Sequence, residues 1–280
     1  MALKKQTVTT LQKMKTDGDK IAMLTCYDFT TARLIEQSAI DAVLVGDSLG
    51  MTMMGYEDTL PVTMEDMIHH SACVSRGLKN TFLVADMPFM SYHISDQQAV
   101  ENAGRLIKEG HANAVKLEGG AKYCSRIRAI VDAQIPVVAH IGLTPQSVNA
   151  FGGFKVQGRN VSRARELIDD AKKIEQAGAF MLTLECVPEK LASLITEEIA
   201  VPTIGIGAGA GCDGQILVYQ DMLDMYDGLA PKFVKHFAHI GREMKDAFNE
   251  YSDQVKKRSF PVTGEHTFKI SDEVMEELKK

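Results

Sequence analysis

The stretch NAVKLEG, residues 113–119, decides how the chain is read. It is short, almost continuously apolar and closed by a glycine, the pattern of a strand covered on both faces. Yet it carries Lys116 and Glu118, two positions apart and so on one face of that strand. Seven other runs of five to nine residues have the same apolar character: IAMLTCY (21–27), AVLVG (42–46), TFLVADM (81–87), IPVVAHIG (135–142), FMLTLEC (180–186), VPTIGIGAG (201–209) and QILVY (215–219). Helical patterns fill the intervals. The sequence predicts helices over 29–38 behind Asp28, 64–77 behind Thr63, 95–110 from Ser95 to Gly110, 121–133, 161–178, 188–199 and 231–254, with a short helix at 7–16.

Eight strands alternating with helices predict an all-parallel α/β architecture. At 280 residues, with no low-complexity linker, this is one (β/α)8 TIM barrel spanning 1–280, with a charged, peripheral tail from about 258 to 280. A doubly wound open sheet is the alternative, because strand count does not prove closure. Net charge is -6 with Lys and Arg scattered, which excludes a nucleic-acid footprint and predicts small-molecule partners. No apolar run approaches the roughly 18 residues of a membrane span. The opening MALKKQTVTT has no apolar core of a secretory signal. Five cysteines, at 26, 73, 124, 186 and 212, are odd in number and widely spaced, as expected of reduced thiols in a cytoplasmic protein.

A parallel barrel keeps its chemistry at the carboxyl ends of its strands. Those ends read, in order, Asp47, Asp86, Lys116 with Glu118, His140 and Glu185. One Asp after a strand is an ordinary turn former. Five successive strands with titratable groups on one rim are different, since clustered carboxylates repel unless a cation sits among them. Asp47, Asp86 and Glu118 offer hard oxygen ligands with no Cys beside them, which predicts Mg²⁺ or Mn²⁺ over Zn²⁺. His140 is expected to contact substrate; metal ligation and a satisfied inner-barrel role are the alternatives. Lys116 should stay protonated and hold a substrate carboxylate, against the plainer reading of a Lys–Glu pair on the barrel wall. Glu185, between Leu184 and Cys186, suits a general base in apolar company; otherwise it caps the next helix.

Two motifs mislead. GDSL (46–49) opens the active site of a hydrolase class that draws its acid and base from a DxxH near the C-terminus. The only DxxH here is Asp66–His69, in an early predicted helix, so Ser48 is read as a hydrogen-bond donor beside Asp47. GIGAGAG (205–211) loosely matches a dinucleotide fingerprint, but CDGQILVY follows where a helix is required. The glycines are read as a sharp turn or close ligand approach, with a phosphate nest as a third option. The polar, glycine-rich FGGFKVQGR (151–159) is expected to be a mobile loop over the site.

Several stretches carry a resemblance beyond any single motif: MLTCYDFTTARL, VLVGDSLGMTMMGYEDTLPVTMEDM, VADMPFMSY, AVKLEGG, PVVAHIGLTPQSVNAFGGFKVQGR, LECVP and VPTIGIGAG, in order from about 23 to about 220. The chain resembles the ketopantoate hydroxymethyltransferase family. The resemblance implies a barrel of the phosphoenolpyruvate/pyruvate-binding type. It implies hydroxymethyl transfer from 5,10-methylenetetrahydrofolate to 3-methyl-2-oxobutanoate, giving 2-dehydropantoate for pantothenate synthesis. It further implies a Mg²⁺ ion in each subunit at Asp47, Asp86 and Glu118, oxoacid contacts from Asp47, Ser48, Asp86 and Lys116, a base at Glu185, a substrate-contacting His140, and a homodecamer. The folate-binding residues are not exposed by the sequence. The competing expectations are a Mg²⁺-dependent lyase of the same barrel superfamily acting on another 2-oxo acid, and a non-catalytic folate or oxoacid binder. Isocitrate lyase-like lyases carry a KxCGH segment that is absent here.

Overall fold

In a computed structural model, residues 4–153, 156–226 and 231–280 are described. Helix α1 (Val8–Asp17) precedes β1 (Ile21–Thr25), α2 (Phe29–Ile35), β2 (Ala42–Val45), α3 (Leu49–Thr52) and α4 (Met64–Gly77). Then come β3 (Phe82–Asp86), α5 (Asp96–Lys108), β4 (Ala114–Glu118), a 3-10 turn (Ala121–Tyr123), α6 (Cys124–Asp132) and β5 (Val137–Gly142). A second 3-10 turn (Pro145–Ser147), α7 (Val148–Phe151), α8 (Val161–Gln176), β6 (Met181–Glu185), α9 (Glu189–Glu198), β7 (Thr203–Ile206) and β8 (Gly214–Leu217) complete the barrel. Beyond it lie α10 (Tyr219–Met222), α11 (Ile240–Lys256) and α12 (Asp272–Glu277).

All eight strands run parallel, in the order β1 to β8, and β8 pairs back onto β1. The barrel expectation holds, and the open-sheet alternative does not. Local chemistry places the helix starts. Asp28 accepts from Thr31 N–H, Ser95 from Gln98 N–H, and Thr63 and Asp66 form a reciprocal capping box.

Strand alternation sorts the core into two layers. Val43, Leu83, Val115, Leu117, Ala139 and Leu182 face the helices. Met23, Leu44, Phe82, Val84, Val138, Phe180 and Ile216 fill the barrel, with Leu11 of α1 in the same cluster. Phe82 and Phe180 meet edge-to-face at 5.9 Å. The apolar filling determines what lies further along the strands. Asp86 has the parity of Val84, Lys116 and Glu118 that of Ala114, His140 that of Val138, and Glu185 that of Met181. The charged residues therefore point inward at the carboxyl end.

One helix differs from expectation. The segment 231–254 does not form one helix; α11 starts at Ile240. Residues before it fold back, with Phe237 N–H donating to Met222 O and Ile240 N–H to Leu223 O. Those long-range partners outbid the local helical pattern. The glycine-rich stretch after β7 turns into β8 without a helix, as its sequence required. No described helix is long and apolar enough to cross a membrane. Phe154 and Lys155, within the expected mobile loop, lie outside the described residues.

Candidate active site

The register of β3 to β6 builds the site. Asp86 is the strand partner of Lys116, Glu118 of His140, and Gly142 of Glu185. Lys116 Nζ lies 2.5 Å from Asp86 Oδ1 and 3.5 Å from Glu118 Oε1. His140 Nδ1 lies 3.3 Å from Glu118 Oε1, and His140 Nε2 lies 3.3 Å from Glu185 Oε2. Thus acid, ammonium, acid, imidazole and acid form one continuous row. Asp86, Lys116, Glu118 and His140 are buried, whereas the Glu185 side chain keeps 16% exposure. Among the five, Glu185 is the one facing the mouth.

Asp47 joins from β2. Its backbone N–H donates to Asp86 Oδ2 at 3.1 Å. Gly46 permits that approach, since a Cβ there would lie 2.9 Å from Ser48 Oγ and 3.3 Å from Asp86 Oδ2. Ser48 Oγ shares a 2.7 Å hydrogen bond with the Tyr27 hydroxyl, not with an imidazole. A serine nucleophile needs an adjacent base, so GDSL is here a strand-to-helix turn.

Two residues that sequence reasoning missed hold this row in place. Gln146 Nε2 donates to Asp47 Oδ2 at 2.8 Å and to Met87 O at 3.0 Å, while Gln146 N–H donates to Glu118 Oε2 at 3.0 Å. The Tyr92 hydroxyl donates to Gln146 Oε1 at 2.7 Å and accepts from Glu118 N–H at 3.1 Å. Both side chains are buried. Gln146 sits in the quoted HIGLTPQSVN stretch, but a neutral amide in a loop gives no chemical signal.

Burial pushes the Asp47 carboxyl well up, and the charges of Asp86 and Glu118 add to it. Burial works against the Lys116 ammonium, but the surrounding carboxylates outweigh it and hold it protonated. Burial also opposes the Glu118 carboxylate. Lys116, His140 and the Gln146 N–H overcome that and bring it down to about 2. Desolvation would lower His140, yet Glu118 and Glu185 carry it up to about 9.

The fit to a divalent cation rests on this charge balance. Asp47, Asp86 and Glu118 are buried together beside the Lys116 ammonium and the His140 ring, which Glu118 shares with Glu185, and no described donor reaches Asp47 Oδ1. An added cation relieves the repulsion that raises Asp47. The three acids are not drawn into a tight mutual cluster. Among the described residues, the group whose ligand atoms lie within 4.8 Å of one another is Asp224, His236 and His239, at the surface. The fit is one of donor chemistry: an all-oxygen set suits Mg²⁺, a hard cation that keeps several waters when bound.

Residues 5–263 match the family profile described as ketopantoate hydroxymethyltransferase. A relative from Clostridium novyi (strain NT), described as 3-methyl-2-oxobutanoate hydroxymethyltransferase, is 65% identical over 98% of this chain and 99% of its own. An Enterococcus faecalis relative with the same description is 62% identical over 98% and 99%. Among solved structures, 2,3-dimethylmalate lyase, a PEP mutase/isocitrate lyase superfamily member, superposes with a TM-score of 0.59 at 18% identity, covering 97% and 94%. A phosphonopyruvate hydrolase complexed with oxalate and Mg²⁺ gives 0.61 at 12% identity, covering 98% and 95%. At such identities the structural likeness concerns the fold.

Proposed function

This chain belongs to the ketopantoate hydroxymethyltransferase family, and from that premise we propose that it moves a hydroxymethyl group from 5,10-methylenetetrahydrofolate to 3-methyl-2-oxobutanoate, yielding 2-dehydropantoate for pantothenate synthesis. The observation that carries the reading is the buried row from Asp86 to Glu185, with its single accessible carboxylate at the mouth. A 2-oxo acid needs a cation for its carboxylate, charge stabilisation at its keto oxygen and a base at C3. The row offers all three.

Asp47, Asp86 and Glu118 would hold Mg²⁺. The ion, when bound, supplies Lewis acidity toward the keto oxygen. Lys116 pairs with the oxoacid carboxylate, and the Ser48 hydroxyl, oriented by Tyr27, donates to it. Glu185 takes the C3 proton. The C3–H electron pair moves into the C2–C3 bond, and negative charge grows on the keto oxygen. His140, carrying a proton between Glu118 and Glu185, steadies the base's carboxylate and lines the substrate pocket. C3 then bonds to the methylene carbon, whose bonds to the folate nitrogens break. One water supplies the hydroxyl oxygen and gives up one proton, Glu185 releases the proton taken from C3, the two nitrogens gain these two protons, and tetrahydrofolate leaves.

Self-association belongs to the same reading. Helix α11 has no buried residue and exposes Met244, Phe248, Tyr251 and Val255, an apolar stripe at spacings of four and three. An apolar cavity of about 540 Å³ lies outside β1 and β8, between Leu24, Ile40, Leu217, Met222 and Phe237. Both features support a homo-oligomer, for which the family resemblance points to a decamer. Five cysteines without a disulfide support a reducing, cytoplasmic setting. The test of function is product formation from both substrates with Mg²⁺, its loss after chelation and its return on adding the ion. Absence of 2-dehydropantoate under the complete mixture rejects the proposal.

A further inference from the structure

A second pocket opens beside the row of charges. It has a volume of about 360 Å³ and lies between the loop after β4, the end of β5 and helix α8. Gly119, Gly142, Ile141, Leu167, Arg163 and Asp170 are among its walls. It adjoins the candidate base: Gly142 is the strand partner of Glu185, and Gly119 N–H donates to His140 O at 2.9 Å. Paired strands lie about 4.8 Å apart, so the inner wall stands one strand spacing from Glu185.

Asp170 is the distinctive group. Gly120 is bare where its carboxylate sits, because a Cβ there would collide with it. Oδ1 accepts from Ala121 N–H at 3.0 Å, and no described donor reaches Oδ2. The other acid of the pocket, Glu166, is paired with Arg163 at 2.6 Å. The exposed Lys122 stands on the rim. The pocket thus combines an apolar wall, one carboxylate with spare acceptor capacity and a cation outside.

We propose that this pocket receives the pterin ring of the reduced folate, with the Asp170 carboxylate accepting from its N3–H and 2-amino group. Its pyrimidinone half is flat and presents two adjacent donors, which a carboxylate matches as a two-point acceptor. Ile141 and Leu167 supply the apolar contact, and Lys122 faces the anionic glutamyl end. The assignment rests on a reduced folate being the one-carbon donor.

Asp170→Asn separates recognition from structure. Its amide oxygen can still accept from Ala121 N–H, while an NH₂ group replaces the acceptor Oδ2. The measurement is KM for 5,10-methylenetetrahydrofolate, with equilibrium dissociation constants for tetrahydrofolate, for 6-methyltetrahydropterin and for 3-methyl-2-oxobutanoate. The expected result is about a ten- to hundredfold weakening for all three pterin compounds, with the oxoacid constant within about twofold. Unchanged folate and pterin constants in a variant that turns over overturn the assignment. So does an equal loss of oxoacid affinity, which marks Asp170 as a structural anchor. If the unaltered protein makes no 2-dehydropantoate, the one-carbon reading itself fails and the pocket assignment falls with it.

Discussion

At Gln146 three side-chain hydrogen bonds meet in a buried place: two donated to Asp47 and Met87 O, and one accepted from Tyr92. Removing the side chain takes a donor from Asp47 Oδ2 and from Met87 O and an acceptor from the Tyr92 hydroxyl, which keeps its bond from Glu118 N–H. Gln146→Ala should cost about 2–3 kcal/mol of stability and weaken Mg²⁺ binding roughly ten- to a hundredfold, the usual effect of losing a group that orients a ligand. A Mg²⁺ titration of activity checks this: the half-saturating concentration should rise while turnover at saturation largely recovers. The acids and Lys116 were legible because charge on a buried strand is conspicuous. Gln146 was not, because its role depends on a 3-10 turn (Pro145–Ser147) that returns a loop over the barrel mouth. Tyr92 likewise arrives from the loop after β3, and nothing in its neighbours marks it.

Elements are held by chemistry that can be tested separately from the site. Glu36, at the end of α2, accepts from Asn80 N–H and Nδ2 and from Thr81 N–H and Oγ1, tying the helix to the start of β3. Burial opposes its charge, but the donors from Lys79, Thr81 and Asn80 outweigh burial and lower its pKa from 4.5. A depressed folded value means the stabilisation is present above 4.5 and is lost as pH falls through the folded value. Glu36→Gln should therefore lower stability at pH 7 by about 1 kcal/mol after solvent screening. The gap from wild type should close under acid, as denaturant midpoints at both pH values would report. A gap that stays constant with pH contradicts the assignment. At this scale strand positions and caps are readable from short, near-continuous apolar runs and capping side chains. The helix expected over 231–254 is absent before residue 240 because residues 237 and 240 find backbone partners at 222 and 223, a tertiary fact without local signal.

For the whole molecule, closure of the barrel brings the ends of five strands to one rim, so residues from 47 to 185 act together. Strand count could not prove closure; the pairing of β8 with β1 does. The exposed stripe on α11 and the apolar cavity outside β1 and β8 belong to this scale too. Light scattering should give a mass that is a multiple of the subunit's, and Phe248→Glu, which puts a charge in the stripe, should reduce it. A monomeric wild type refutes the assembly reading. Enolisation of a 2-oxo acid by the rim of acids, with Glu185 as base, is read by proton NMR of 3-methyl-2-oxobutanoate in D₂O with Mg²⁺ and tetrahydrofolate present. Wild type should lose the C3 proton signal, and the loss should slow by roughly 10²- to 10⁴-fold in Glu185→Gln while the oxoacid still binds. Exchange at the wild-type rate in that variant would contradict Glu185 as the base.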